Sequence, residues 1–413
     1  MLIFFINKYN DIDHIVPIIY KVSNETNKTI HVFCINPFND ISNDYRLNFL
    51  KNDIGVNVEY IYKSVNKLSV PGILSFFLCK DTGKKFSSLI SLLCNNWIWF
   101  SKLIFKNIYG EKWCRNFFDK YKSHILILDG TTAVSKTFNF SAIETVANER
   151  SIPKISLPHG VALYSKHPRT YDNAKADLNK NNCEVIVSPS YRWMQECIDF
   201  GISPEKLKVV GVARHCKEWE TVLQDIVPWE ESLDRTPKGK LKVVYMDMGP
   251  NRYEEFKPIA EKTLRVINSL DFVHLLFKPH TRSNRANLEI PVNVENVHHI
   301  NSHNLIKWAD VVIGMSSSII LGVLMQNKVY ISPTYFRRVD MIYEEHGACW
   351  AVDSEDELKK ALISLKENPS LKPYSQESIN NFLTEIIYAG EKDKDVLKSY
   401  KELIFSFLDK KKY

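Results

Sequence analysis

Residues 304–332 read NLIKWADVVIGMSSSIILGVLMQNKVYIS. Two short apolar runs, DVVIG (310–314) and KVYIS (328–332), flank a helical pattern that opens at Ser316, Ser317 and Ser318. Strands without polar alternation, joined through a helix, predict a βαβ unit in a parallel sheet buried on both faces. Towards the N-terminus the same half carries KVVYMDMG (242–249), a helix through 253–268, FVHLLFK (272–278) and NVHHI (296–300). The first half repeats the alternation with LIFFI (2–6), TIHVFC (29–34), a run near 57–61, HILILD (124–129), KISL (154–157), EVIVS (184–188) and KVVG (208–211). Helical patterns at 141–150 and 190–201 lie between these strands. The fold class expected is α/β, with two Rossmann-type parallel-sheet domains. The polar segment 227–240, with Pro228 and Pro237, is the expected linker. It separates domains at 1–226 and 241–390, and a C-terminal helix at 391–413 closes the chain; helices are expected over 373–389 and 392–409.

A length of 413 residues accommodates two such domains, and 45% hydrophobic with 25% charged residues excludes a disordered, collagen-like or polytopic membrane chain. The charge of +6 is small, and no aromatic–basic module is present, so no nucleic-acid partner is expected. The cysteines show no CxxC spacing and sit in apolar runs, which reads as buried thiols in a reducing compartment. MLIFFINKYN lacks a basic n-region and reads as a first strand, so the expected location is cytoplasmic.

Ligands of open α/β sheets bind beyond the carboxyl ends of the strands. There the chain places Asp129-Gly130, Pro158-His159-Gly160, Arg214, Gly249 with Asn251 and Arg252, Lys278 with His280, and Ser316-Ser317-Ser318. The serines are either ordinary caps or an anion site, and Lys278 and His280 in the same half favour the anion. Asp129 is a turn former, a general base or a nucleophile. His159 is a satisfied loop histidine or a proton-transfer group. His298, His299 and His303 lack a carboxylate or cysteine at ligand spacing, so no metal is expected. Neither GxGxxG nor a P-loop occurs.

VSPSYRWMQECIDFGISPEKLKVVGVAR (187–214), FKPHTR (277–282) and residues 304–332 together resemble GT-B bacterial polysaccharide transferases. The likeness spans about 154–352 and includes lipopolysaccharide, capsule and teichoic-acid-type enzymes. It implies a GT-B-like fold with the two domains facing a central cleft. It further implies Lys278, His280, Ser316, Ser317 and Ser318 on the donor phosphate, and Gly249, Asn251 and Arg252 along the nucleotide. Asp129, His159 and Arg214 would face the reacting centre, with Gly130 and Gly160 on the acceptor side. Such enzymes need no cofactor, the nucleotide-activated sugar being a co-substrate. Gly322 stands where the family often has a ribose-binding Glu, which weakens a uridine or adenosine diphosphate-sugar assignment; the serine pocket fits cytidine donors at least as well, such as CMP-linked 3-deoxy-octulosonic acid (Kdo) or CDP-glycerol. Asp129 is similar in placement to the nucleophilic carboxylate of retaining β-Kdo transferases. A nucleotide-sugar epimerase or a non-catalytic glycan-binding protein are the competing readings.

Aromatic residues reach 12% and crowd into 66–117. Asn95, Asn96 and Lys102 interrupt any window of about 20 apolar residues, so no span is expected. The stretch either packs on the first domain or lies in a membrane interface. In the second case Trp97, Trp99 and Phe100 sit at headgroup depth, and Lys102, Lys106, Lys112 and Lys410–Lys412 on anionic lipid. The partners expected are thus a nucleotide-activated sugar, a lipid-linked or oligosaccharide acceptor, and the inner membrane face.

Overall fold

Every residue of LIFFI is fully buried, as a strand covered on both faces requires. In the computed structural model this run is β1 (Leu2–Ile6), and residues 1–35, 43–61, 110–130, 140–165, 181–247, 254–280, 288–336 and 339–409 are described. The chain divides into two units: 1–161 with 169–219 and 386–413, and 162–168 with 220–385.

In the first unit β1 leads into α1 (Tyr9–Ser23), followed by β2 (Ile30–Cys34), α2 (Tyr45–Asn52), β3 (Asn57–Tyr60) and α3 (Glu111–Tyr121). β4 (Ile125–Asp129), α4 (Phe140–Glu149), β5 (Lys154–Leu157), β6 (Val185–Ser188), α5 (Tyr191–Asp199) and β7 (Leu207–Val209) complete the sheet. All pairings are parallel, in the order β3-β2-β1-β4-β5-β6-β7. The order reverses direction between β1 and β4, whose carboxyl ends are joined in register at Phe5 and Leu128. A doubly wound sheet opens its ligand crevice at that reversal.

The division falls inside α6 (Lys217–Ile226), upstream of the expected linker at 227–240. Trp219 explains it: its ring is 1% exposed and packs on Tyr20 and Phe49 of the first unit, whereas Glu220 faces His303 of the second. The second unit contains β8 (Leu241–Met246), α7 (Lys257–Asn268), β9 (Val273–Lys278), β10 (Glu295–Asn296), α8 (Ser302–Trp308), β11 (Val311–Gly314), α9 (Ile319–Met325) and β12 (Val329–Pro333). It ends with α10 (Ile342–Glu345), β13 (Trp350–Val352), α11 (Glu355–Glu367) and α12 (Gln376–Ile386). Its strands order β10-β9-β8-β11-β12-β13, again reversing once, between β8 and β11. Val243, Tyr245, Phe277, Ile313 and Ile331 meet Leu264, Ile267, Leu358 and Leu362 of α7 and α11 in its core. Each such side chain contributes about 1.5–3 kcal/mol by burial.

α13 (Val396–Asp409) closes the chain and belongs to the first unit. Ile387 O accepts from Val212 N at 2.9 Å, and the Tyr400 hydroxyl donates to Gly211 O at 2.9 Å. Gly211 has φ +111, and a Cβ there would lie 2.4 Å from Ile387 O, so only glycine fits.

The strand expected at 296–300 is not one. β10 stops at Asn296, and Ile300 N turns back onto Val297 O, leaving His298 and His299 exposed. In the aromatic stretch, Cys114, Phe117, Phe118 and Tyr121 form the buried face of α3, with Phe117 and Tyr121 5.1 and 5.0 Å from Phe33. That end packs on the sheet, while Lys112 is exposed. Trp97, Trp99, Phe100, Lys102, Lys106 and Lys410–Lys412 lie outside the described residues. Among the described residues no helix is long and apolar enough to cross a membrane. Cys34, Cys114, Cys183, Cys197, Cys216 and Cys349 are buried thiols.

Candidate functional site

Asp129 is the last residue of β4 and is 1% exposed. Its neighbour strand β5 ends at Leu157, and the chain turns through Pro158 to bring His159 over it. His159 Nδ1 lies 3.0 Å from both Asp129 oxygens, and 29% of the imidazole remains exposed. The third member follows β1. Asp11 sits in the first turn of α1, fully buried, and its Oδ2 accepts from Asn7 N at 2.8 Å and Lys8 N at 2.9 Å. Its other oxygen, Oδ1, stands 3.6 Å from His159 Nδ1. The residues on each side of the β1–β4 reversal therefore converge on one imidazole.

Burial works against the charge on His159, but the adjacent carboxylates of Asp11 and Asp129 outweigh it and raise its pKa to about 9. For Asp11, burial first and then the Asp129 carboxylate push the pKa up. One ligand-type atom of each group falls within 4.8 Å of the others, a spacing a metal ion would accept. His159 Nδ1, at 3.0 Å from both Asp129 oxygens, is also placed to donate to that carboxylate as an ion pair.

A second network is built on the same helix. Arg214, in a 3₁₀ turn over 213–215, bonds Asp13 Oδ2 at 3.0 Å. Arg46, 4% exposed, bonds Asp13 and also grips Asp44 through Nε at 3.0 Å and Nη2 at 2.6 Å. Asp44 caps α2 by accepting from Arg46 N and Leu47 N. Burial opposes the charge of Asp13, but Arg214 and Arg46 prevail and hold its pKa below the ordinary value. His14, next in α1, is pushed down to about 3 by burial and then by Arg214, so it is neutral. A small recess lies here, lined by His14, Pro158, Val161, Gly211 and Tyr400 among others.

Several sequence expectations take new positions. Asp129, read as a turn former, base or nucleophile, is buried with both oxygens at 3.0 Å from His159 Nδ1. A Cβ at Gly130 would be tight, 3.2 Å from Leu157 O and 3.3 Å from Ser156 Oγ. Gly160 is exposed, with open space about it. In the second unit Lys278 is 6% exposed and donates to the carbonyls of His298 at 2.7 Å, Ile300 at 2.6 Å and Val297 at 3.4 Å. Its ammonium braces, through these three carbonyls, the turn that replaces the expected strand. His280 follows two residues on, half-buried. Ser316 has φ +48, donates its N–H to Tyr343 Oη at 3.3 Å and directs Oγ towards Met341 Sδ. Ser317 Oγ accepts from Ile319 N, which makes it the capping residue, and Ser318 occupies the N-cap position without a side-chain bond. Gly249, Asn251 and Arg252 lie outside the described residues.

Asp11, Asp13 and Arg46 were missed from the sequence. The strand-end rule that found Asp129 and His159 points to Asp11 as well once it is applied to the exit of β1.

No protein-family model matches the chain, and no curated protein matches it by sequence. Solved structures do resemble it. The glycosyltransferase of kitacinnamycin superposes with a TM-score of 0.54 at 14% identity, covering 98% of both chains. The glycosyltransferase SnogD from Streptomyces nogalater gives 0.52 at 12% identity, again with 98% of each chain. The UDP-GlcNAc 2-epimerase from Neisseria meningitidis, bound to UDP-GlcNAc, gives 0.57 at 11% identity over 99% of this chain and 100% of that one. Two parallel-sheet α/β units with these neighbours constitute a GT-B-like fold.

Proposed function

We propose that the protein transfers a sugar from a nucleotide donor to an acceptor hydroxyl, with His159 as the proton-transfer group and Asp129 as its orienting carboxylate. The observation that carries this reading is the contact between His159 Nδ1 and Asp129 at the β1–β4 reversal, where an open α/β sheet binds ligand. Two of the neighbouring structures are glycosyltransferases, which supports it.

Asp129 orients the ring through Nδ1, and Nε2 is the atom assigned to take the acceptor's proton. The acceptor oxygen then bonds to the anomeric carbon, the bond from that carbon to the donor phosphate oxygen breaks, and the nucleotide leaves as an anion. His280 and Ser316–Ser318, beyond the carboxyl ends of β9 and β11, are proposed on the donor phosphate. Arg214 is fixed by Asp13 and offers a positive group on the acceptor side. Gly322 lies buried in α9 and supplies no ribose carboxylate, which supports CMP-linked Kdo as the donor and CDP-glycerol as the next choice.

One observation favours a second reading. Asp11 gives the site a second buried carboxylate beside an imidazole, a pairing that could move a proton on and off a sugar carbon, as an epimerase requires. Incubation with labelled CMP-, CDP- and UDP-sugars, with and without oligosaccharide or lipid-linked acceptors, separates the two. Transfer, or slow donor hydrolysis, supports the transferase. Interconversion of the donor sugar without acceptor gives the epimerase, and inertness towards all donors leaves a binding protein.

A further inference from the structure

Two carboxylates buried within 4.8 Å of one another repel, and each loses the hydration that would sustain its charge. Such a pair needs a shared proton or a counter-charge between its members, and here the imidazole of His159 stands in that place. Asp11 spends Oδ2 on the first turn of α1, through the N–H groups of Asn7 and Lys8. Its Oδ1 is buried, makes no hydrogen bond within 3.5 Å, and faces His159 Nδ1 at 3.6 Å. A carboxylate needed only to cap the helix would not have to present its second oxygen to an imidazole inside the protein.

We propose that Asp11 is a positioning residue that sets the proton occupancy of His159, so that the working unit is the triad Asp11–His159–Asp129 rather than a dyad. The inference rests on the reading of His159 as the proton-transfer group. Among the described residues, Asp11 from α1 and Asp129 from β4 place carboxylates on the ring. The other charged groups on α1 are engaged elsewhere. Asp13 pairs with Arg214 and Arg46, and His14 is buried and neutral. The roles of the two carboxylates differ. Asp129 accepts from Nδ1 at hydrogen-bond distance and fixes the tautomer. Asp11, slightly farther away, adds charge without adding a bond. At neutral pH the ring is then an imidazolium, and the neutral form that accepts a proton becomes abundant only in alkali. Deleting the Asp11 charge should release the ring to work at lower pH, whereas deleting Asp129 should cost orientation.

The test is the NMR titration of the His159 ring, identified by the resonance lost in His159→Gln, in the full-length protein and in Asp11→Asn and Asp11→Ser. Serine keeps a hydroxyl to accept from Lys8 N, so it reads the charge alone if the asparagine variant misfolds. An opposite charge at this distance is worth about 1–3 pH units, and the titration midpoint should fall by that amount in both variants. The alkaline rise in transfer rate should move down with it, raising the rate at pH 7 relative to the wild type. An unchanged midpoint in a folded variant overturns the proposal and leaves Asp11 as a helix cap. If His159 itself proves dispensable for turnover, it is the transferase mechanism that fails, and the titration still reports on Asp11.

Discussion

His159 Nδ1 stands 3.0 Å from both carboxylate oxygens of Asp129, a residue only 1% exposed. The contact joins the ends of two adjacent strands, β4 and β5, and links the stability of the first unit to its chemistry. Because the carboxylates outweigh burial, the imidazole rises from its ordinary 6.5 to about 9. A raised folded-state value means that the ring's contribution to stability is fully present below about pH 6.5 and lost as pH rises through about 9. The shift corresponds to about 3 kcal/mol before the burial cost of Asp11 is subtracted. Urea denaturation between pH 6 and pH 10 should show the wild type weakening across that window, with His159→Gln nearly flat. Parallel pH profiles for the two proteins would contradict it.

Arg46 neutralises Asp13 and Asp44 while itself almost wholly buried. Removing one partner of a buried ion pair leaves uncompensated charge and costs about 3–5 kcal/mol. Arg46→Ala should therefore lose that much in chemical denaturation, and Arg214 should lose its fixed partner as Asp13 relaxes. A loss below about 1 kcal/mol, the range of an exposed pair, would refute the network.

Lys278 braces the turn at 297–300 through backbone carbonyls. Lys278→Met keeps the aliphatic stem and leaves those carbonyls unpaired, so stability should fall by about 1–3 kcal/mol. Donor affinity, measured by calorimetry, should stay close to wild type. A large loss of affinity in a variant of unchanged stability would return Lys278 to the donor phosphate.

Gly211 holds the loop that carries Arg214, its carbonyl accepting from the Tyr400 hydroxyl while Val212 N donates to Ile387 O. Its φ of +111 and the 2.4 Å approach of Ile387 O to a Cβ there make Gly211→Ala costly, by about 2 kcal/mol or more. Thermal denaturation should show the loss, and transfer should fall with it. A wild-type melting temperature would mean that the C-terminal segment does not clamp this loop.

Much of this arrangement was legible from residues alone. Buried β-branched runs specify parallel strands, and strand ends are where ligands bind, so Asp129 and His159 could be marked without coordinates. Asp11 escaped because LIFFI was read for its strand and its exit was not followed. Asp13 and Arg46 escaped because an ion pair between α1 and α2 leaves no spacing rule in the sequence. Lys278 shows that a strand-end residue's structural partners are not legible in the sequence. A lysine at a strand end looks like an anion ligand, but its acceptors come from a turn where Val297 and Ile300 had suggested a strand. The position of Trp219, which decides where the units divide, likewise depends on packing against Tyr20 and Phe49 that no local pattern announces.

The central claim is that His159 moves the proton during sugar transfer, and the most direct measurement is turnover against donor binding in His159→Gln. Loss of a positioned acid–base group costs about 10²–10⁴-fold in rate. The account predicts a loss of that size at saturating donor, with the donor dissociation constant essentially unchanged. Turnover near the wild-type rate would contradict it.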